Sequence, residues 1–203
     1  MKKIIKAIIF DSGGVLVDDP ALELIAYCAK ALGISDKRFC KVYQKFEPDF
    51  QKGIISENTL WEMVCSELNI KKLNTQSLWY EALRKVFSIK EEMFFLASSL
   101  RNNGYKIGVL SNTELPAMKY LYEQGYDMFN VLVFSCVEGA RKPEERIYEI
   151  TLRRLGVQPE EAIFIDDNKD YTNGAEKVGI NTILFRSPDQ FKKELASFSV
   201  KTE

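Results

Sequence analysis

The sequence predicts an α/β fold, a doubly wound parallel sheet carrying an inserted all-helical cap. Three observations predict it. Five short runs rich in apolar and β-branched residues punctuate the chain, at 4–10, 105–111, 130–135, 162–166 and 181–185. Each is nearly continuous rather than alternating, as strands buried on both faces of a parallel sheet must be. Helical patterns separate the later four runs, whereas roughly 90 residues without a convincing strand separate the first from the second.

The elements follow in order. The first run, IIKAIIF, ends at Asp11 and leads into SGGVLVDD. Next come the amphipathic stretches PALELIAYCAKALG, SDKRFCKVYQKFEPDF, SENTLWEMVCSELN and TQSLWYEALRKVF. SENTLWE carries a helix-start signature, with Ser56 preceding Thr59 to Glu62. An all-helical insert leaving directly after the first strand reads as a cap over the strand ends. Its expected extent is 17–88, leaving 1–16 and 89–203 as the α/β core. Trp61, Trp79, Tyr80, Phe39, Tyr43 and Phe46 recur at helical spacing and read as the insert's own core. The charges of KVYQKFEPDFQKG read as a solvated helix face.

KEEMFFLASSLRNNG leads back to the second strand, YKIGVLS, and ELPAMKYLYEQ links it to NVLVFS. PEERIYEITLRRLG follows, with Pro143 suited to a first helical turn and Gly156 to a C-terminal stop. AIFID is the fourth strand, KDYTNGAEKVG the helix after it and NTILF the fifth strand. This βα alternation is that of an open doubly wound sheet. FKKELASFSVKTE reads as a last helix and a frayed tail.

Composition bounds the chemistry. The chain has 203 residues and a formal net charge of −1. So even a balance gives no electrostatic reason to expect nucleic acid or an acidic membrane surface as partner. No apolar run reaches about 18 residues, so no transmembrane span is expected. The N-terminal MKKIIKAIIF imitates a signal peptide, but its apolar part is short, contains Lys6 and lacks a small-residue cleavage site. A cytoplasmic protein is expected. Cys28, Cys40, Cys65 and Cys136 form no CxxC and read as small buried hydrophobes, not a disulfide framework. The chain contains no histidine. That excludes Ser-His-Asp and Cys-His catalysis and any His-ligated zinc or haem.

In an open parallel sheet, ligands sit at the carboxyl ends of the strands. Here the first strand presents Asp11 and the second Ser111 and Asn112. The third leads to Lys142, and the fourth presents Asp166 and Asp167. Taken singly, these are turn formers, helix caps or solvated loop residues. Together they gather carboxylates that repel one another and call for a cation. A hard divalent ion with oxygen ligands, Mg²⁺, fits that set.

FDSGGVLVD, VLSN, EGARKPEERIYEITLRRLGV and AIFIDDN together resemble the motifs of the haloacid dehalogenase-like (HAD) superfamily, in its phosphatase-type branch with a helical cap. The resemblance spans nearly the whole chain. It implies a Rossmann-like HAD core and a phosphatase of small phosphorylated metabolites. It makes Asp11 the nucleophile that forms an aspartyl-phosphate. Ser111 and the amide of Asn112 would hold phosphate oxygens, and Lys142 would neutralise the phosphoryl group and Asp11. Asp11, the Gly13 carbonyl, Asp166 and Asp167 would hold Mg²⁺.

One position departs from the pattern. Most family phosphatases carry a second Asp two residues after the nucleophile, as general acid and base, and here Gly13 stands there. A positioned general acid contributes roughly 10²–10⁴ in rate, about 3–5.5 kcal/mol. Its loss matters least for leaving groups of low basicity, sugar 1-phosphates among them. Asp18 is a nearby alternative proton donor, or else part of the hinge between core and cap. A metal-independent 2-haloacid dehalogenase, a non-catalytic binder of phosphorylated ligands or partners, and a phosphomutase remain alternatives.

Overall fold

A computed structural model describes residues 4–71 and 74–202. After β1 (Ala7–Phe10) come α1 (Ala21–Leu32), α2 (Asp36–Gln51), α3 (Glu57–Leu68), α4 (Leu78–Val86) and α5 (Glu91–Asn102). Then follow β2 (Lys106–Ser111), α6 (Leu115–Tyr122), β3 (Val131–Phe134), α7 (Ser135–Glu138) and α8 (Glu145–Leu155). The chain ends with β4 (Ala162–Asp166), α9 (Lys169–Lys177), β5 (Asn181–Leu184) and α10 (Pro188–Ser197).

The five strands form one parallel sheet in the order β3-β2-β1-β4-β5. β1 is central, with Phe10 opposite Val109 on one side and Ile165 on the other. Successive side chains of a strand face opposite ways, and the two faces bury separate cores. Ile8 and Phe10 pack with Val109, Ile163 and Ile165 beneath α5 and α10, through Met93, Leu96, Leu100, Phe191 and Leu195. Ala7 and Ile9 pack with Leu110 and Phe164 beneath α8 and α9, through Ile147, Tyr148, Leu152 and Ala175. Double-sided burial is why the strand runs are continuous in sequence.

Helices α1 to α4 close a third core of their own. Phe39, Tyr43, Trp61 and Trp79 stack through it, with ring centroids 5.8 Å apart for Phe39–Tyr43, 5.9 Å for Phe39–Trp61 and 5.1 Å for Tyr43–Trp79. Ser56 caps α3 by accepting from the Thr59 amide, as its sequence suggests. The chain passes out of the sheet layer at Val17 and Asp18 and returns at Ser88 and Ile89. Val17 and Ile89 form an isolated antiparallel bridge, and the Asp18 amide donates to the Ser88 carbonyl.

Several expectations need correction. Ser135 does not extend β3; it begins α7. Pro143 is not in the first turn of α8, which starts at Glu145; it precedes the cap residue Glu144, and the Lys142–Pro143 bond is cis. Gly156 does end that helix, at φ 64°. The C-terminal tail is tied down rather than frayed. The Ser99 hydroxyl donates to Thr202 O, and the Lys201 amide donates to Tyr105 Oη. The four cysteines are free thiols. Among the described residues, no helix is long and apolar enough to cross a membrane.

Candidate active site

β1, β2 and β4 are neighbours, so their carboxyl ends bring Asp11, Ser111 and Asp166 to one edge of the sheet. Asp11 continues the ladder, its amide donating to the Ile165 carbonyl at 2.9 Å. Beyond it the chain turns tightly, with the amides of Leu16 and Val17 both donating to Ser12 O at 2.9 and 3.0 Å. The Ser12 hydroxyl meets Tyr126 Oη at 2.8 Å, anchoring the turn to the sheet layer.

The two glycines of this turn differ in kind. Gly14 has φ +76°, and a Cβ there would lie 2.1 Å from Asp167 Oδ2. Only glycine admits the Asp167 carboxylate so close to the backbone. Gly13 has no such constraint: a Cβ would meet only Pro20 Cδ, at 3.8 Å.

Lys142 is buried between two carboxylates, its Nζ 2.8 Å from Asp11 Oδ1 and 2.6 Å from Asp166 Oδ2. The ring of Tyr171, 4.9 Å from Nζ at its centroid, and that of Phe164, at 5.5 Å, flank the ammonium. The Asn112 side chain clamps the lysine backbone: its Oδ1 accepts from Lys142 N at 2.8 Å and its Nδ2 donates to Lys142 O at 3.1 Å. The Asn112 side chain is therefore committed to placing Lys142, a role that sequence reading did not anticipate. Ser111 Oγ lies 2.6 Å from Thr113 Oγ1.

Two carboxylates share one ammonium, so the cluster is short of positive charge. Burial pushes the Asp11 carboxyl up to about 8, against the pull of Lys142 and with Asp166 adding to the rise. Burial works to lower the Lys142 ammonium, but Asp11 and Asp166 together outweigh it and the net direction is up. Asp167 is raised as well, by burial first and then by Asp166 and Asp19. Carboxylate oxygens of Asp11, Asp166 and Asp167 lie within 4.8 Å of one another, the one such cluster among the described residues. An all-oxygen set with excess negative charge suits a hard divalent cation.

The cluster opens into a cavity of about 490 Å³. Its sheet-side lining is Asp11, Ser111, Asn112, Lys142 and Asp167, all anticipated from sequence, together with Gly13. Its other side comes from α1, α2 and α4, and includes Leu24, Tyr43, Glu47, Gln51 and Trp79. Glu47 was expected on a solvated helix face. Lys41, Lys45 and Asp49 are indeed exposed, but Glu47 is half-buried and lines the cavity, because Val42, Tyr43 and Phe50 dock that side of α2 against its neighbours. Glu114, at the start of α6, is likewise buried in the lining, and no sequence pattern marked it.

A family model described as haloacid dehalogenase-like hydrolase matches residues 5–179. Acyl-CoA dehydrogenase family member 10 of Mus musculus is 32% identical over 203 residues, covering 94% of this chain but only 19% of that protein. The chain thus spans less than a fifth of that relative. The phosphorylated carbohydrates phosphatase of Thermotoga maritima is 27% identical over 191 residues, covering 88% of this chain and 83% of that one. A HAD family enzyme of Bacteroides thetaiotaomicron, solved with magnesium and inorganic phosphate, superposes with a TM-score of 0.74 at 23% identity, covering 91% of this chain and 96% of that one.

Proposed function

Because the chain belongs to the haloacid dehalogenase-like hydrolases, we propose that it is a magnesium-dependent phosphatase of small phosphorylated metabolites, working through an aspartyl-phosphate on Asp11. The observation that carries this reading is the Lys142 ammonium, held between Asp11 and the buried Asp166, with the Asp11 and Asp167 carboxylates lining the same cavity. Residues 17–88 act as the cap that closes over that cavity, and Asp18 belongs to its hinge, where its backbone pairs with Ser88.

The chemistry follows from the placement. An Asp11 oxygen attacks phosphorus, the ester P–O bond breaks, and the leaving oxygen departs with the electron pair. Lys142 neutralises the phosphoryl oxygens as charge develops, and the Ser111 hydroxyl and the backbone N–H of Asn112 hold them in place. Water then attacks phosphorus, the aspartyl P–O bond breaks, inorganic phosphate leaves and Asp11 returns as a carboxylate, the proton lost by the water balancing, through solvent, the one the leaving oxygen takes up. Magnesium, held by Asp11, the Gly13 carbonyl, Asp166 and Asp167, supplies further stabilisation of phosphoryl charge when bound. No side chain stands at Gly13 to protonate the leaving oxygen, so esters of weakly basic leaving groups, sugar 1-phosphates among them, are the preferred substrates.

The test is a panel of phosphate esters with Mg²⁺, using wild type, Asp11→Asn and Gly13→Asp. Asp11→Asn abolishes turnover; activity that survives it sinks the assignment of the nucleophile. Gly13→Asp raises turnover of basic leaving groups by 10-fold or more, on the order of the lower end of general-acid effects, and raises that of good ones less. EDTA abolishes activity here and leaves a metal-independent dehalogenase untouched.

A further inference from the structure

Lys142, the one cation among the described lining residues, stands at the sheet end of the cavity beside the Asp11 and Asp167 carboxylates. The opposite lining carries carboxylate and amide groups and no cation. Glu114 is 7% exposed, and its two carboxylate oxygens accept from Tyr43 Oη at 3.3 Å and Trp79 Nε1 at 3.1 Å. Among the described residues, no lysine or arginine forms an ion pair with it. Gln51, 9% exposed, donates from Nε2 to Glu47 Oε1 at 3.2 Å, and its own amide oxygen has no hydrogen-bond partner. Glu114, Gln51, Glu47, Tyr43 and Trp79 all line the same cavity.

A buried carboxylate without a counter-cation is expensive, as is a buried carbonyl oxygen without a donor. Both residues line the same cavity as Asp11, and one kind of group relieves both. An ammonium carries three donors, no acceptor and a positive charge. A second phosphate or a carboxylate would be repelled here, and an alkyl group would leave the acceptors unmet.

We propose that the cap end of the cavity is a subsite for a protonated amine on the leaving group, with Glu114 as its counter-charge and Gln51 as a neutral acceptor. The substrates are then amine-bearing phosphate monoesters, an assignment that rests on the phosphatase reading above.

Three aryl phosphates of matched shape test it: the para-aminomethyl, para-hydroxymethyl and para-ethyl phenyl esters, assayed with Mg²⁺. Wild type shows a kcat/KM for the amine at least tenfold above that for the ethyl ester. Glu114→Gln, whose amide oxygen still accepts a hydrogen bond, lowers that ratio about tenfold, and Gln51→Met lowers it by a smaller factor. Equal turnover of the three esters by wild type overturns the subsite, as does an unchanged ratio in Glu114→Gln. A hydroxymethyl ester as good as the amine overturns the assignment of charge. Hydrolysis of none of the esters, p-nitrophenyl phosphate included, refutes the phosphatase reading instead. Calorimetry with the matching benzylphosphonates then decides the subsite alone. Tighter binding of the aminomethyl compound by wild type, lost in Glu114→Gln, upholds it; equal or absent binding overturns it.

Discussion

At the scale of single residues, Gly13 and Gly14 are indistinguishable in sequence and opposite in the fold. Gly14 occupies left-handed backbone against the Asp167 carboxylate, whereas a Cβ at Gly13 would make only an ordinary contact with Pro20. Gly14→Ala should therefore lower stability by about 1–2 kcal/mol from backbone conformation alone and weaken magnesium binding by displacing Asp167. Gly13→Ala should leave the melting temperature nearly unchanged. Paired thermal melts and Mg²⁺ titrations check both. The gathering of Asp11, Ser111 and Asp166 at one sheet edge was legible because each ends an apolar run, and strand ends are where open sheets bind ligands. Glu114, Glu47 and Gln51 were not legible. An acidic residue on an amphipathic helix reads as solvated unless one knows which neighbour covers it, and here the cover is long-range.

At the scale of elements, strand positions were readable because burial on both faces leaves an uninterrupted apolar signal. Helix starts were less so. Pro143 suits a first turn, yet the cap falls to Glu144 because the Lys142 backbone is already taken by Asn112. Within the α1 to α4 layer, α3 and α4 are joined by one carboxylate. Glu57 accepts from Trp61 Nε1 at 2.9 Å, the Trp79 amide at 2.8 Å and the Ser77 hydroxyl at 2.6 Å. Glu57→Ala leaves three donors short of an acceptor. A hydrogen bond to a charged group is worth roughly 1.5–3 kcal/mol, so a loss of at least about 2 kcal/mol is expected in denaturant melts. Glu57→Gln recovers part of it. A change below about 0.5 kcal/mol, the range of ordinary surface substitutions, would show that α4 is held by packing alone.

At the scale of the whole molecule, the sequence pattern implied a parallel sheet but not the order β3-β2-β1-β4-β5, which depends on which side of β1 each crossover returns. That order places Asp11 between the two strands whose ends carry Ser111 and Asp166, so an ion held by Asp11 and Asp166 would tie neighbouring strands together. Mg²⁺ at a hundred times its Kd should stabilise the fold by about 2.7 kcal/mol, raising Tm by roughly 5–10 °C for a chain of this size. Asp166→Asn should abolish the shift, and an equal shift in that variant would place the ion elsewhere. The bridge between Val17 and Ile89 has a wider consequence. A segment whose two ends touch demands no particular span from the framework it leaves. The helices between those residues could be shortened, lengthened or exchanged for another module while the sheet kept its geometry. In such a chain, what is recognised and what is done to it can evolve separately.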